Sequence, residues 1–141
     1  MRIGFVGYST QKFDEKAAED LFFEALEEIG DLIGEASEEI VFVSGLTNLG
    51  VPKLVYELSA LVFEGHAKTM GIACKKAFDY EQFPCDRVII VGENWGDESM
   101  TFLAAIDVLI RIGGGEQSKA ECAKARELGI RVVERELDAI A

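Results

Sequence analysis

Three glycines followed by a polar run, Gly113-Gly114-Gly115-Glu116-Gln117-Ser118, are the residues best suited to chemistry in this chain. An apolar, strand-like segment precedes them and a helical pattern follows. Glycine permits a positive φ and lets a ligand come close to backbone. The unpaired N–H groups that open a helix favour an anion. Ser118 can hydrogen-bond a phosphate or simply cap the helix. Glu121 lies one turn further on. A carboxylate there can hold a ribose hydroxyl or act as acid or base, and taken alone it also reads as a surface helix glutamate.

Two other turns share this character. Ser44-Gly45-Leu46-Thr47-Asn48-Leu49-Gly50 offers Ser44, Gly45 and Thr47 as a second phosphate or ribose cradle. Gly7-Tyr8-Ser9-Thr10 is a small polar turn after the first strand, and Gly7, Ser9 and Thr10 are its candidate ligand contacts. A fourth turn, residues 92–98, carries Glu93, Asp97 and Glu98 with Trp95. Such an acidic loop is ordinarily a solvated surface. It can also hold a catalytic carboxylate over a glycosidic bond, while Trp95 either stacks on a base or covers the end of the sheet.

Several standard sites are excluded. Val51 and Pro52 follow Gly50, so the lysine and hydroxyl of a P-loop are missing, and no G-x-G-x-x-G dinucleotide fingerprint occurs. One histidine, His66, and three scattered cysteines, Cys74, Cys85 and Cys122, make no ligand set, so neither a metal nor another resident cofactor is implied. The cysteines read as structural thiols, and His66 as a surface residue beyond a helix end.

The elements that must position these turns follow from periodicity. Strands are expected at 2–7, 39–43, 68–73, 87–91 and 107–112, with a shorter sixth at 130–134. Residues 14–33 have helical period, with Asp14 as N-cap and Gly34 as stop. A second helix begins at Pro52, turns Leu54, Val55, Leu58, Leu61 and Val62 inward, and ends near Gly65. Short helices follow at 98–105 and 117–128, and residues 74–86 form a loop with an apolar underside. Strands separated by helices predict an α/β fold, a single-domain, Rossmann-like α/β/α sandwich over residues 1–141 with a mostly parallel sheet of five or six strands. In such sheets ligands sit beyond the carboxyl ends of the strands. All four turns follow strands, so they converge on one edge.

Composition bounds the partners. With 14 Lys+Arg against 26 Asp+Glu, the 141-residue chain carries a net charge of −12. That opposes binding to nucleic acid, which depends on basic residues neutralising phosphates, and to an anionic membrane surface. No apolar run approaches the roughly 18 residues of a membrane span, and the short apolar start is no signal peptide. A cytoplasmic protein is expected. Lys12, Lys53, Arg111 and Lys119 are the cations that could serve an anionic ligand.

The motifs taken in order resemble the SLOG superfamily, which includes the LOG-type proteins, the molybdenum-cofactor carriers and DprA-like domains. The resemblance covers most of the chain. Its most specific part is Asp-Val-Leu-Ile-Arg-Ile-Gly-Gly-Gly-Glu-Gln-Ser-x-x-Glu, similar to P-G-G-x-G-T-x-x-E. Gly114 and Gly115 match the paired glycines, Ser118 the threonine and Glu121 the glutamate. Gly113 stands for the proline and Gln117 for the third glycine. In LOG enzymes this segment binds the phosphoribosyl part of a nucleoside monophosphate, and the glutamate acts in cleaving its N-glycosidic bond. Glu98 stands where those enzymes usually have an arginine. The resemblance therefore implies a nucleotide-like small-molecule ligand at Gly113, Gly114, Gly115, Gln117 and Ser118, and a homodimer or higher homo-oligomer through apolar faces at 54–63 and 99–106. Three readings stay open: a nucleotide-binding protein, an enzyme on N-glycosidic bonds using Glu121 and Glu98, and an interaction module with a vestigial site.

Overall fold

The computed structural model describes residues 1–35 and 39–141. Six strands alternate with helices: β1 Arg2–Gly7, α1 Glu15–Glu28, α2 Gly30–Glu35, β2 Ile40–Ser44, α3 Gly50–Phe63, β3 Ala67–Ala73, β4 Arg87–Ile90, α4 Ser99–Ala104, β5 Val108–Ile112, α5 Glu116–Glu127 and β6 Arg131–Arg135. A 3-10 turn, Lys75–Asp79, stands between β3 and β4 where α/β folds usually place a helix. All strand pairings are parallel, and the spatial order is β4-β3-β2-β1-β5-β6. The α/β fold predicted from periodicity is the one observed.

Alternation along the strands builds two apolar layers. Ile3, Phe5, Phe42, Val108, Ile110 and Ile112 face α1 and α3, with the Phe5 and Phe22 rings stacked at 5.4 Å. Val43, Met70, Ile72 and Leu109 face the other way, onto Phe102 and Leu103 of α4 and Cys122 and Ala125 of α5. Gly4 makes this second layer possible. A Cβ there would lie 2.8 Å from Ile106 and 2.9 Å from Phe102, so only a bare backbone lets that segment down onto β1. Helices therefore cover both faces.

Two helices depart from the expected bounds. Residues 14–33 do not form one helix. Asp14 caps α1 as predicted, its side chain accepting from the Ala17 N–H at 3.0 Å. The helix stops at Ile29, whose backbone leaves the helical region (φ −101°, ψ 16°) while its side chain stays fully buried, and α2 restarts at Gly30. Gly34 lies inside α2 and ends nothing. The second helix begins at Gly50, two residues ahead of the predicted start, with Pro52 still in the first turn where no N–H is needed. Its inward face is Val51, Val55, Tyr56 and Leu58. Leu61, at 73% exposed, and Val62 point outward, contrary to expectation, and Phe63 is the residue of the last turn that packs against the core. No helix among the described residues is long and apolar enough to cross a membrane.

Candidate functional site

The strand order reverses between β1 and β5, since the chain runs outward from β1 through β2, β3 and β4 and then returns to β1's other side. Loops leaving β1 and β5 part there and open a crevice. A cavity of about 500 Å³ lies at this edge. Residues 7–11 after β1, 44–47 after β2, Trp95 and Glu98 ahead of α4, and Gly115–Ser118 with Glu121 from α5 all line it. The four turns picked out in the sequence thus meet in one place.

The three glycines divide into two kinds. Gly113 and Gly114 have φ of +60° and +94° and do not line the cavity. A Cβ on Gly113 would stand 2.7 Å from the Tyr8 ring, and one on Gly114 2.7 Å from Ser118 Oγ and 3.0 Å from Gly7 Cα. Gly7 is equally confined, since a Cβ there would stand 2.4 Å from the Ile112 carbonyl oxygen. These three pack the β1 and β5 turns against each other. Gly115 differs: its backbone is extended (φ −98°, ψ −156°), it faces open space, and it is the N-cap of α5 without a side-chain cap. The first-turn N–H groups of α5 therefore border the cavity unshielded by a capping side chain. Ser118 lines the cavity but does not cap the helix.

The second turn is less free than its composition suggests. Ser44 Oγ donates to the Phe5 carbonyl at 2.7 Å and is buried between β2 and β1, so that hydroxyl holds the sheet together. Gly45 presents its carbonyl to Tyr56 Oη at 2.8 Å. The backbone beyond is stitched to residues 81–83 by the Asn48 N–H on Glu81 and the Phe83 N–H on Leu46. Thr47 remains as a lining side chain. The first turn is clamped too: the Val51 N–H donates to the Tyr8 carbonyl at 2.7 Å, and Tyr8 Oη donates to Leu137 at 2.8 Å.

Two carboxyl groups line the cavity while almost out of solvent, Glu98 at 7% exposed and Glu121 at 9%. Ser99 Oγ donates to Glu121 Oε2 at 3.0 Å. Burial pushes the Glu121 carboxyl up to about 7; the Ser99 hydroxyl opposes this and the nearby Glu98 charge adds to it. Glu98 Oε1 accepts from Gln117 Nε2 at 3.3 Å and from the Gly96 N–H at 3.4 Å. Its Oε2 is buried without a partner. Trp95 and Tyr80 both line the cavity with ring centroids 6.3 Å apart.

No Lys or Arg is among the described residues lining the cavity. Arg111, expected from its type to serve as a local cation, is 2% exposed and committed elsewhere. It donates to the Gly113 carbonyl at 2.8 Å, to Glu134 at 3.3 Å and to Glu136. Lys53 pairs with Glu57. His66 is exposed beyond the end of α3, and burial first, then Glu134, pushes the Cys122 thiol up to about 12, far from a nucleophile. No cluster of metal-ligating side chains occurs among the described residues. Sequence reasoning missed Ser99 and the cavity role of Tyr80. A serine directly after Glu98 was the only signal for the first; the second depends on a long loop folding back.

Neither a protein-family model nor a curated protein matches the chain by sequence. Solved structures do match its fold. One is TM1055, a structural-genomics target, with a TM-score of 0.66 and 23% identity over 93% of this chain and 71% of that one. Another is the molybdenum cofactor carrier protein of Chlamydomonas reinhardtii, with a TM-score of 0.66 and 20% identity over 94% of this chain and 74% of that one. The chain shares with both a Rossmann-like α/β fold, here built on a six-stranded parallel sheet. It is the architecture that the turn motifs implied, reached here through shared geometry at low identity.

Proposed function

We propose that the cavity at the β1/β5 switch point binds a nucleotide or nucleotide-derived small molecule. Its anionic group would sit on the uncapped start of α5 and its planar group against Trp95 and Tyr80. One observation carries this reading: the same cavity of about 500 Å³ is bordered both by the first turn of α5 and by that aromatic pair. The volume is in the range of roughly 300–1,000 Å³ typical of small-molecule sites. With no cation among the described residues of the wall, the anion's partners are backbone N–H groups, together with the hydroxyls of Ser9, Thr10, Thr47 and Ser118. The net charge of −12 does not forbid this, since surface charge is screened beyond about 8–10 Å. The similarly folded protein named as a molybdenum cofactor carrier supports a holding role.

A thermal-shift panel of AMP, GMP, ADP-ribose, NAD, ribose 5-phosphate and molybdenum cofactor tests the reading. A ligand at 100 times its dissociation constant stabilises by about 2.7 kcal/mol. Gly115→Asp is the control variant. Its extended backbone suits an aspartate N-cap, so the fold is kept while a carboxylate occupies the anion's place. Stabilisation of the wild type that this variant lacks supports the proposal, and no shift with any compound sinks it.

A second reading is favoured by the Glu121 carboxyl near 7, the range of a general acid at neutral pH. In it, Glu121 protonates the leaving base as the N-glycosidic bond breaks, Glu98 supports the positive charge that develops on the sugar, and water adds to C1′ and loses a proton, giving free base and ribose 5-phosphate. Base release from a nucleoside monophosphate, lost in Glu121→Gln, separates this enzyme from a binding protein.

A further inference from the structure

Glu98 is the least satisfied charged group in the cavity wall. More than nine-tenths of the residue is buried, and its Oε2 has no hydrogen-bond partner. The other oxygen makes only long bonds, 3.3 Å to Gln117 Nε2 and 3.4 Å to the Gly96 N–H. Those two contacts hold Oε1 between the start of α5 and the Trp95 loop, while Oε2 is closed off from water, so a bound donor reaches it only as the side chain turns toward the cavity. The neighbouring hydroxyl does not help, because Ser99 gives its proton to Glu121. Burying an acceptor with no donor is costly, and the cost is recovered when a donor arrives.

We propose that Glu98 reads a pair of adjacent hydrogen-bond donors on the bound molecule, so that a neutral N–H or O–H edge, and not a phosphate, faces this carboxylate. The inference rests on the cavity being a nucleotide site and specifies which part of the ligand lies where. A phosphate beside Glu98 would meet like charge with Glu121 close behind. Two carboxylate oxygens instead match two parallel donors. In a nucleotide that pattern has two sources: the ring N–H and amino group of a 2-amino-6-oxopurine, or the vicinal hydroxyls of ribose. Trp95 stands three residues before Glu98 and lines the same cavity, so a ring resting on it can turn either edge toward the carboxylate.

The test is calorimetric titration of wild type and Glu98→Gln with GMP, IMP, 2′-deoxy-GMP and AMP. IMP lacks the amino donor and 2′-deoxy-GMP lacks one hydroxyl. In the wild type, one of these two binds about ten-fold or more weaker than GMP, because the site's acceptor is left unpaired. Weak IMP puts the donors on the base; weak 2′-deoxy-GMP puts them on the sugar. In Glu98→Gln, where an amide replaces one acceptor by a donor, that preference shrinks to within about two-fold. The free variant is also expected to melt higher than the free wild type, which a merely structural Glu98 would not show. Equal binding of GMP and both analogues, or an unchanged preference in Glu98→Gln, overturns the inference alone; AMP, which keeps the ribose hydroxyls and lacks the base donors, should bind weakly only if the donors are on the base. Absence of binding by every nucleotide overturns the nucleotide reading and this inference with it. Should Glu98→Gln fail to fold, the wild-type comparison still decides.

Discussion

Ser99 Oγ donates a 3.0 Å hydrogen bond to Glu121 Oε2, joining the first residue of α4 to the second turn of α5 at the cavity wall. The bond couples the packing of two helices to the protonation of one carboxyl. Burial holds that carboxyl neutral more readily than water would, and the hydroxyl, which favours the ionised form, holds the rise to about 7.

The first prediction follows from the sign of this shift. Between the ordinary value of 4.5 and about 7, the folded chain keeps a proton on Glu121 that the unfolded chain has released. The stabilisation from the neutral carboxyl is thus full below 4.5 and is lost as pH rises through 7. Wild type should lose on the order of 3 kcal/mol relative to Glu121→Gln across that window. Using the difference removes Asp97, Glu134 and Glu136, whose lowered values act in the opposite sense. Urea denaturation of both proteins at pH 5 and pH 8 measures it, and a pH-independent difference would refute the assignment. Ser99→Ala should move the Glu121 midpoint, followed by carboxyl ¹³C NMR, further upward.

The glycine turn should show graded tolerance. Gly114→Ala places a Cβ 2.7 Å from Ser118 Oγ at a φ of +94°, and should destabilise by about 1–3 kcal/mol or more. Gly7→Ala meets the Ile112 backbone at 2.4 Å and should be at least as damaging. Gly115→Ala meets nothing and needs no unusual backbone, so its cost should stay within about 1 kcal/mol. Thermal melts of the three variants rank them. Equal losses at 114 and 115 would contradict the division of labour between packing and cavity glycines.

That division marks what the sequence could and could not convey. The strands, the parallel order and the convergence of four turns were legible, because each rests on local periodicity and on the rule that parallel strands share an edge for their loops. The tight packing of Gly113 and Gly114 was not legible, since a positive φ serves close packing as well as close approach of a ligand, and the neighbours that reveal it, Tyr8 and Gly7, lie at the other end of the sequence. The partner of Ser44 was hidden in the same way: a hydroxyl at a strand end reads as a free donor until Phe5, far off in sequence, is found to accept it. The outward turn of Leu61 was illegible because Leu61, Val62 and Phe63 are all apolar, and only the fold shows that Phe63 is the one set against Phe42.

Trp95 offers a prediction with a built-in control. It is 46% exposed and touches Tyr80 only at a 53° tilt, so little of the fold depends on it. Trp95→Ala should change the melting temperature of the free protein by no more than a degree or two, while weakening a planar ligand by about 1–3 kcal/mol, the usual range for lost base stacking. Calorimetry with GMP and with ribose 5-phosphate distinguishes stacking from a general effect. Only the nucleotide should lose affinity, and equal loss with the sugar phosphate would remove Trp95 from the stacking role.

Arg111 links the core to the site without touching a ligand. Its guanidinium is buried and serves the Gly113 carbonyl, Glu134 and Glu136 at once, so the turn that launches α5 hangs on a planar fork. Lysine keeps the charge but has one nitrogen at the tip and cannot reach three acceptors in different directions. Arg111→Lys should therefore destabilise by about 2–4 kcal/mol, toward the lower part of the range for a broken buried ion pair because Glu136 is largely solvated. It should also loosen the start of α5. Amide hydrogen exchange at residues 113–119 should quicken more than exchange in α1, which holds none of Arg111's hydrogen-bond or ion-pair partners. Uniform acceleration throughout the chain would mean that Arg111 contributes to global stability alone and does not hold the turn.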